Sequence, residues 1–115
     1  MRFSQRLVAL NANIEPGAFS GERIFEVILA NGEKYRSLAP RQFCWNHQGK
    51  LLKEDEPTAR IEGMIAARIV DYIEDSQVLV EVPDGEIIAV DQQSIQSRPT
   101  SIRPPIQESR QYVSV

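Results

Sequence analysis

The segment VLVEVPDGEIIAV constrains what this chain can fold into more than any other stretch of it. β-Branched and apolar residues, which suit a pleated, half-buried surface, flank an Asp84-Gly85 pair that readily takes the positive φ angles of a tight turn. The stretch therefore reads as a β-hairpin. With a two-residue turn, Val82 faces Ile87 and Val80 faces Ala89 on one side, while Glu81 meets Ile88 and Leu79 meets Val90 on the other. Both faces are partly apolar on that register, so the hairpin is expected to be covered on both sides over part of its length.

The same grammar occurs 53 positions earlier. In IFEVILANGEKYRSL, Asn31-Gly32 separates an apolar strand from one carrying Tyr35 and Leu38. Each returning strand leads into a short polar stretch that closes on an apolar residue, APRQF in one and DQQSI in the other. Duplication would explain this, and so would the grammar that any two hairpins share, since only Gly32/Gly85 and Glu33/Glu86 coincide around the turns. Between the hairpins, KEDEPT reads as a solvated connection. The following ARIEGMIAARIVDYIED admits two readings. Ile61, Ile65, Ile69 and Tyr72 recur at helical spacing, whereas Gly63 and the hairpin beyond it favour a long, bent strand from Met64 to Ile73, which is the preferred reading. From Arg98 onward, RPTSIRPPIQESRQYVSV has three prolines and little apolar periodicity and reads as an extended tail, with Tyr112, Val113 and Val115 able to dock or pair as an edge strand.

The expected architecture is mainly β: one small domain over residues 1–97, or two packed hairpin-centred halves over 1–57 and 58–97, followed by a proline-containing tail over 98–115. The run GMIAARIVDYIEDSQVLVEVPDGEIIAVDQQSI resembles the small barrels of the SH3-like superfamily, of KOW and Tudor type, in which a long strand, a short loop, a tight hairpin and a terminal helical turn follow in this order. That resemblance covers about a third of the chain and implies a fold without a ligand. Tyr72 is the one aromatic in the segment, so no aromatic cage for methylated side chains is apparent. The same strand-turn-strand stretch is similar to OB barrels.

A chain of 115 residues, 42 % apolar and 25 % charged, is of ordinary globular composition and long enough for one core. No apolar run approaches the roughly 18 residues that a membrane-spanning helix requires. Residues 1–13 lack the long apolar region of a secretory leader, and the lone Cys44 cannot form an internal disulfide, so a cytoplasmic location is the default expectation.

Reactive side chains gather in FCWNHQGK. Cys44 and His47 could supply two ligands to a zinc ion, but a closed site needs four and the chain has no second Cys or His. Cys44 as a nucleophile with His47 as base would need an acidified thiol and an orienting third group, which the spacing does not establish. The preferred reading packs Phe43 and Trp45 against the first hairpin and makes Asn46 to Gly49 a polar turn. Glu54, Asp55 and Glu56 lack calcium-loop spacing and read as solvated loop. No catalytic residue, metal or cofactor is expected.

The charge is asymmetric: +4 over residues 1–53, −9 over 54–97 and +2 from Arg98 on. Two partner classes follow. In the first half Lys34, Tyr35, Arg36, Arg41, Phe43, Trp45, His47 and Lys50 form a candidate binding face, where cations could neutralise phosphates and aromatics could stack bases of single-stranded nucleic acid. Opposite charges on the two halves instead favour self-association or a protein partner, helped by hairpin edges that can add strands. A non-catalytic module binding protein is the leading expectation, and a nucleic-acid-binding barrel the alternative.

Overall fold

The computed structural model describes residues 7–74 and 76–97, so the expected tail lies outside the described residues. Among the described residues eight strands form one antiparallel sheet: β1 (Leu7–Pro16), β2 (Glu22–Ile28), β3 (Lys34–Pro40), β4 (Cys44–Asn46), β5 (Ile61–Glu74), β6 (Gln77–Glu81), β7 (Ile87–Asp91) and β8 (Ile95–Gln96). The main path runs β3-β2-β1-β5-β6-β7, with β4 added to β5 and β8 to β1. The sheet curls strongly into a half-barrel, and the mainly β expectation holds.

Period-two alternation decides which side of the curl each residue takes. In β1, Val8, Leu10, Ala12 and Ile14 are buried, while Asn11 is exposed and Asn13 and Glu15 are half-exposed. In β2, Arg23, Phe25 and Val27 face inward, and in the second hairpin Val78, Val80, Val82, Ile88 and Val90 do so. Each of the larger side chains buried this way contributes about 1.5–3 kcal/mol relative to exposure. The second hairpin is thus buried on one face, not covered on both. Leu79 and Ala89 on its other face are half-buried and Ile87 is 53 % exposed.

The register of that hairpin differs by one residue from the two-residue-turn expectation. Val80 pairs with Ile88 and Leu79 with Ala89. The Gly85 N–H donates to the Val82 carbonyl at 2.9 Å and the Val82 N–H to the Glu86 carbonyl at 2.9 Å, which makes Pro83, Asp84 and Gly85 a three-residue loop. Gly85, at φ +95°, is its left-handed residue, as in the turn-plus-bulge loops common in hairpins. Asp84 holds the turn by accepting the Glu86 N–H at 2.8 Å. The first hairpin repeats every one of these features. Gly32 N–H reaches the Leu29 carbonyl at 2.9 Å, Leu29 N–H reaches Glu33, Asn31 accepts the Glu33 N–H at 2.9 Å, and Gly32 stands at φ +90°. No atom lies near a Cβ built at either glycine, so a substitution is opposed by backbone strain alone. Gly85→Val and Gly32→Val should each cost about 1–2 kcal/mol in urea unfolding, and parent-like midpoints for both would contradict the turn assignment.

The halves correspond beyond the turns. Each runs long strand, hairpin, a 3-10 turn (Arg41–Phe43, then Gln92–Ser94) and a short last strand. Each last strand crosses to the other half: Cys44 of β4 pairs with Ile65 of β5, and Ile95 of β8 pairs with Leu10 of β1. At the centre β1 and β5 pair along eight residues, from Leu7↔Arg68 to Ile14↔Ile61. The molecule is therefore two like halves exchanging end strands about the β1–β5 ladder. Each hairpin turn also caps the other half's edge strand. The Ala30 N–H donates to the Ala89 carbonyl at 2.9 Å, and the Tyr35 hydroxyl donates to the Asp84 carboxylate.

The segment with two readings is a strand, as preferred, although it starts earlier and runs Ile61–Glu74. Register shifts at Val70 and Ile73 supply its bend. Gly63 belongs to the strand because β4 approaches too closely for a Cβ, which would run into the Trp45 carbonyl oxygen. The KEDEPT connection is less free than expected: Arg23, 3 % exposed, donates to the carbonyls of Lys53, Glu54 and Glu56 within it and to those of Ser20 and Glu22.

Candidate interaction surfaces

The eight residues of the sequence-predicted face do not share a surface. Trp45 is fully buried, held in β4 between Met64 of β5 and the bridge to Leu51, and presents no ring for stacking. Tyr35 leans inward on Phe25, with ring centroids 6.1 Å apart, and its hydroxyl is engaged by Asp84. Burial first, then the Asp84 carboxylate, raises its phenol above the ordinary value. Phe43 is 41 % exposed, a correction to its expected packing against the first hairpin, because the 3-10 turn carries it outward while Cys44 and Trp45 enter the core. Arg41 is half-buried and donates to the Leu52 carbonyl at 3.0 Å.

Arg36 lies on the outer face of β3 in a two-point ion pair with Glu15, at 3.0 and 3.1 Å. Arg60 binds the same carboxylate at 2.5 Å and also reaches Glu26, so these two arginines are closed on Glu15 and Glu26, while Lys34 at the start of β3 is exposed. Hydrogen bonds from Arg36 and Arg60 hold the Glu15 carboxyl below its ordinary value, and the bond from Arg60 does the same for Glu26. A depressed folded-state pKa gives stability that is present above the unfolded value, about 4.3, and is lost as pH falls through the folded one. Thermal stability should therefore decline as the solution is acidified through and below that value. Arg60→Gln should flatten the decline, and an unchanged pH profile in that variant would contradict the network's role.

His47 and Lys50 do meet, on the turn after β4, where they border an open groove of about 870 Å³. The Asn46 to Gly49 turn forms as expected: the Gly49 N–H donates to the Asn46 carbonyl at 2.9 Å and the Asn46 side chain accepts from Gln48 and Lys50. Asn11, Asn13, Glu26 and Glu62 add to the groove's polar lining. Sequence reasoning missed them, although LNANIEP alternates polar and apolar residues and so announces an outward Asn11, Asn13 and Glu15.

Cys44 sits in the core with its thiol directed at the Pro40 carbonyl, 3.6 Å away, and burial pushes its pKa up to about 12. His47 stands on the exposed turn. A thiol that is protonated at neutral pH and shielded from solvent is a poor nucleophile. Iodoacetamide should consequently leave Cys44 unmodified in the native chain and label it fully in denaturant, whereas rapid native labelling would contradict this placement.

Large apolar side chains stand at the surface of both halves. Phe19 is 73 % exposed on the β1–β2 loop and, with Leu38 and Pro40, borders a hollow of about 360 Å³. Ile28, Val70, Ile73 and Ile87 are each between 44 % and 53 % exposed. Among the described residues no helix is long and apolar enough to cross a membrane. No family model, curated protein or solved structure matches this chain.

Proposed function

We propose that this chain is a non-catalytic interaction module whose ligand is another protein. The observation that carries the reading is the set of large apolar side chains held at the surface, Phe19 and Leu38 in one half and Val70 and Ile87 in the other. Exposed apolar surface rimmed by polar groups is characteristic of protein docking sites. The distribution of charge supports the same class of partner. Arg36 and Arg60 are closed on Glu15 and Glu26, Arg23 and Trp45 are buried and the Tyr35 hydroxyl is engaged by Asp84, which removes several of the cations and rings that the alternative, single-stranded nucleic acid, would use and so supports a protein ligand.

The test uses the full chain. A labelled single-stranded oligonucleotide at near-physiological salt should give no saturable anisotropy change. A protein captured by the immobilised chain from its source lysate should be lost on substituting Phe19→Ser and Ile87→Ser together, with melting unchanged. Saturable oligonucleotide binding abolished by Lys34→Glu and Lys50→Glu would overturn the reading in favour of nucleic acid.

A further inference from the structure

The outer face of β5, β6 and β7 differs in kind from the rest of the sheet surface. The register sets Leu79 between Asp71 and Ala89, and Glu81 between Arg68 and Ile87. Because Val78, Val80, Ile88 and Val90 fill the core from the opposite side of the same strands, these residues point outward. Leu79, Ala89 and the 53 % exposed Ile87 form a continuous apolar strip, since Ile87 is the diagonal neighbour of Leu79. The register shift at Val70 sets a further apolar side chain, 47 % exposed, at its border.

Carboxylates frame the strip. Asp71, Glu74 and Asp91 are exposed on the same strands, and Glu86 is exposed beside Ile87. The one cation in these rows, Arg68, is held by Glu81 and does not offset the others. An apolar strip inside an uncompensated acidic frame selects its occupant by charge as well as by area. It repels anionic lipid and nucleic acid alike. On a second copy the outer arginines Arg36 and Arg60 are closed on Glu15 and Glu26.

We propose that this face docks a basic segment of a partner protein, with apolar side chains of the segment on Leu79, Ala89 and Ile87 and its Lys or Arg residues against Asp71, Glu74 and Asp91. The proposal rests on the interaction-module reading and gives that module's ligand a chemistry.

Three labelled synthetic peptides of equal length, titrated against the full chain, test it. One alternates Arg with Val or Leu, one replaces each Arg by Glu, and one keeps the Arg but replaces each apolar residue by Ser. The first should bind saturably with one site, weaken as salt rises, and lose at least about tenfold in affinity to either Ile87→Ser or Leu79→Gln, the pair of variants guarding against loss of fold in one of them. The second should not bind, and the third should be at least about tenfold weaker than the first. Equal binding of the first and third peptides would reduce the effect to non-specific charge and overturn the proposal. So would first-peptide binding that both variants leave intact. Concentration-dependent association of the chain with itself, removed by Ile87→Ser, would assign the face to a second copy instead. A protein captured by the chain whose binding is insensitive to Ile87→Ser and Leu79→Gln would overturn this face while leaving the interaction-module reading in place.

Discussion

Replacing Arg23 with Met should lower stability by about 3 kcal/mol, a large loss for one side chain. The guanidinium is 3 % exposed and faces no carboxylate. Its charge is balanced by five backbone carbonyls, those of Ser20 and Glu22 on one side and of Lys53, Glu54 and Glu56 on the other, at 2.6 to 3.2 Å. Charge-assisted hydrogen bonds are roughly twice as strong as neutral ones, and carbonyls stripped of their donor in a buried setting carry the full desolvation penalty. Arg23 thereby ties the connection between the halves to the start of β2. Arg23→Lys should recover only a minor part of the loss, because a compact ammonium cannot serve both groups of carbonyls at once. Urea unfolding of the two variants is the measurement, and a loss below about 1 kcal/mol for Arg23→Met would show that the connection holds itself in place.

Gly63→Val should be comparably severe, at about 3 kcal/mol or more, and clearly worse than Gly85→Val. The two glycines are required for different reasons. Gly85 has open space around it and a left-handed backbone, so only local strain opposes a side chain. Gly63 pairs with Ala12 on one side and Asn46 on the other, and a Cβ there would meet the Trp45 carbonyl oxygen and the Ile14 side chain. Backbone cannot yield as a rotamer can, so β4 must separate from β5 and Trp45 must leave the core. A larger loss at Gly85 than at Gly63 would contradict this packing.

Both hairpins were legible in the sequence because a turn is a local event: Asp84-Gly85 and Asn31-Gly32 carry their own conformational preferences. The register was not, since the same two residues serve a two-residue or a three-residue loop, and one residue of slip moves every side chain to the other face. With the slip corrected, Val80, Val82, Ile88 and Val90 gather on the buried face, while Leu79, Ala89 and Ile87 keep the other face partly apolar without burying it. The choice of strand over helix for Ile61–Glu74 was right for a reason visible in the sequence, Gly63, whose purpose became clear only once β4 was seen against it.

The candidate face fared worse, because side-chain type says little about which neighbour claims a residue first. Arg36 and Tyr35 are typical of binding surfaces, but Glu15, 21 positions away, and Asp84, 49 positions away, already hold them. Trp45 has the cations Arg41 and Lys50 as sequence neighbours, whereas the pairing of β4 with β5 buries it. The carbonyls around Arg23 have no sequence signature at all. The acidic frame around Ile87, by contrast, was present in the −9 charge of residues 54–97 and needed only the register to bring Asp71, Leu79 and Ala89 into one row.

The most direct test of the central claim, that this molecule engages protein through its sheet surface, is to follow backbone amide shifts of the full chain during two separate titrations. One uses the peptide alternating Arg with Val or Leu, the other a single-stranded oligonucleotide, both at near-physiological salt. The peptide is expected to shift Asp71, Leu79, Ile87, Ala89 and Asp91 in a saturable manner, and the oligonucleotide to shift nothing. Saturable shifts at Lys34, His47 and Lys50 with the oligonucleotide, and none at Leu79 or Ile87 with the peptide, would contradict the account.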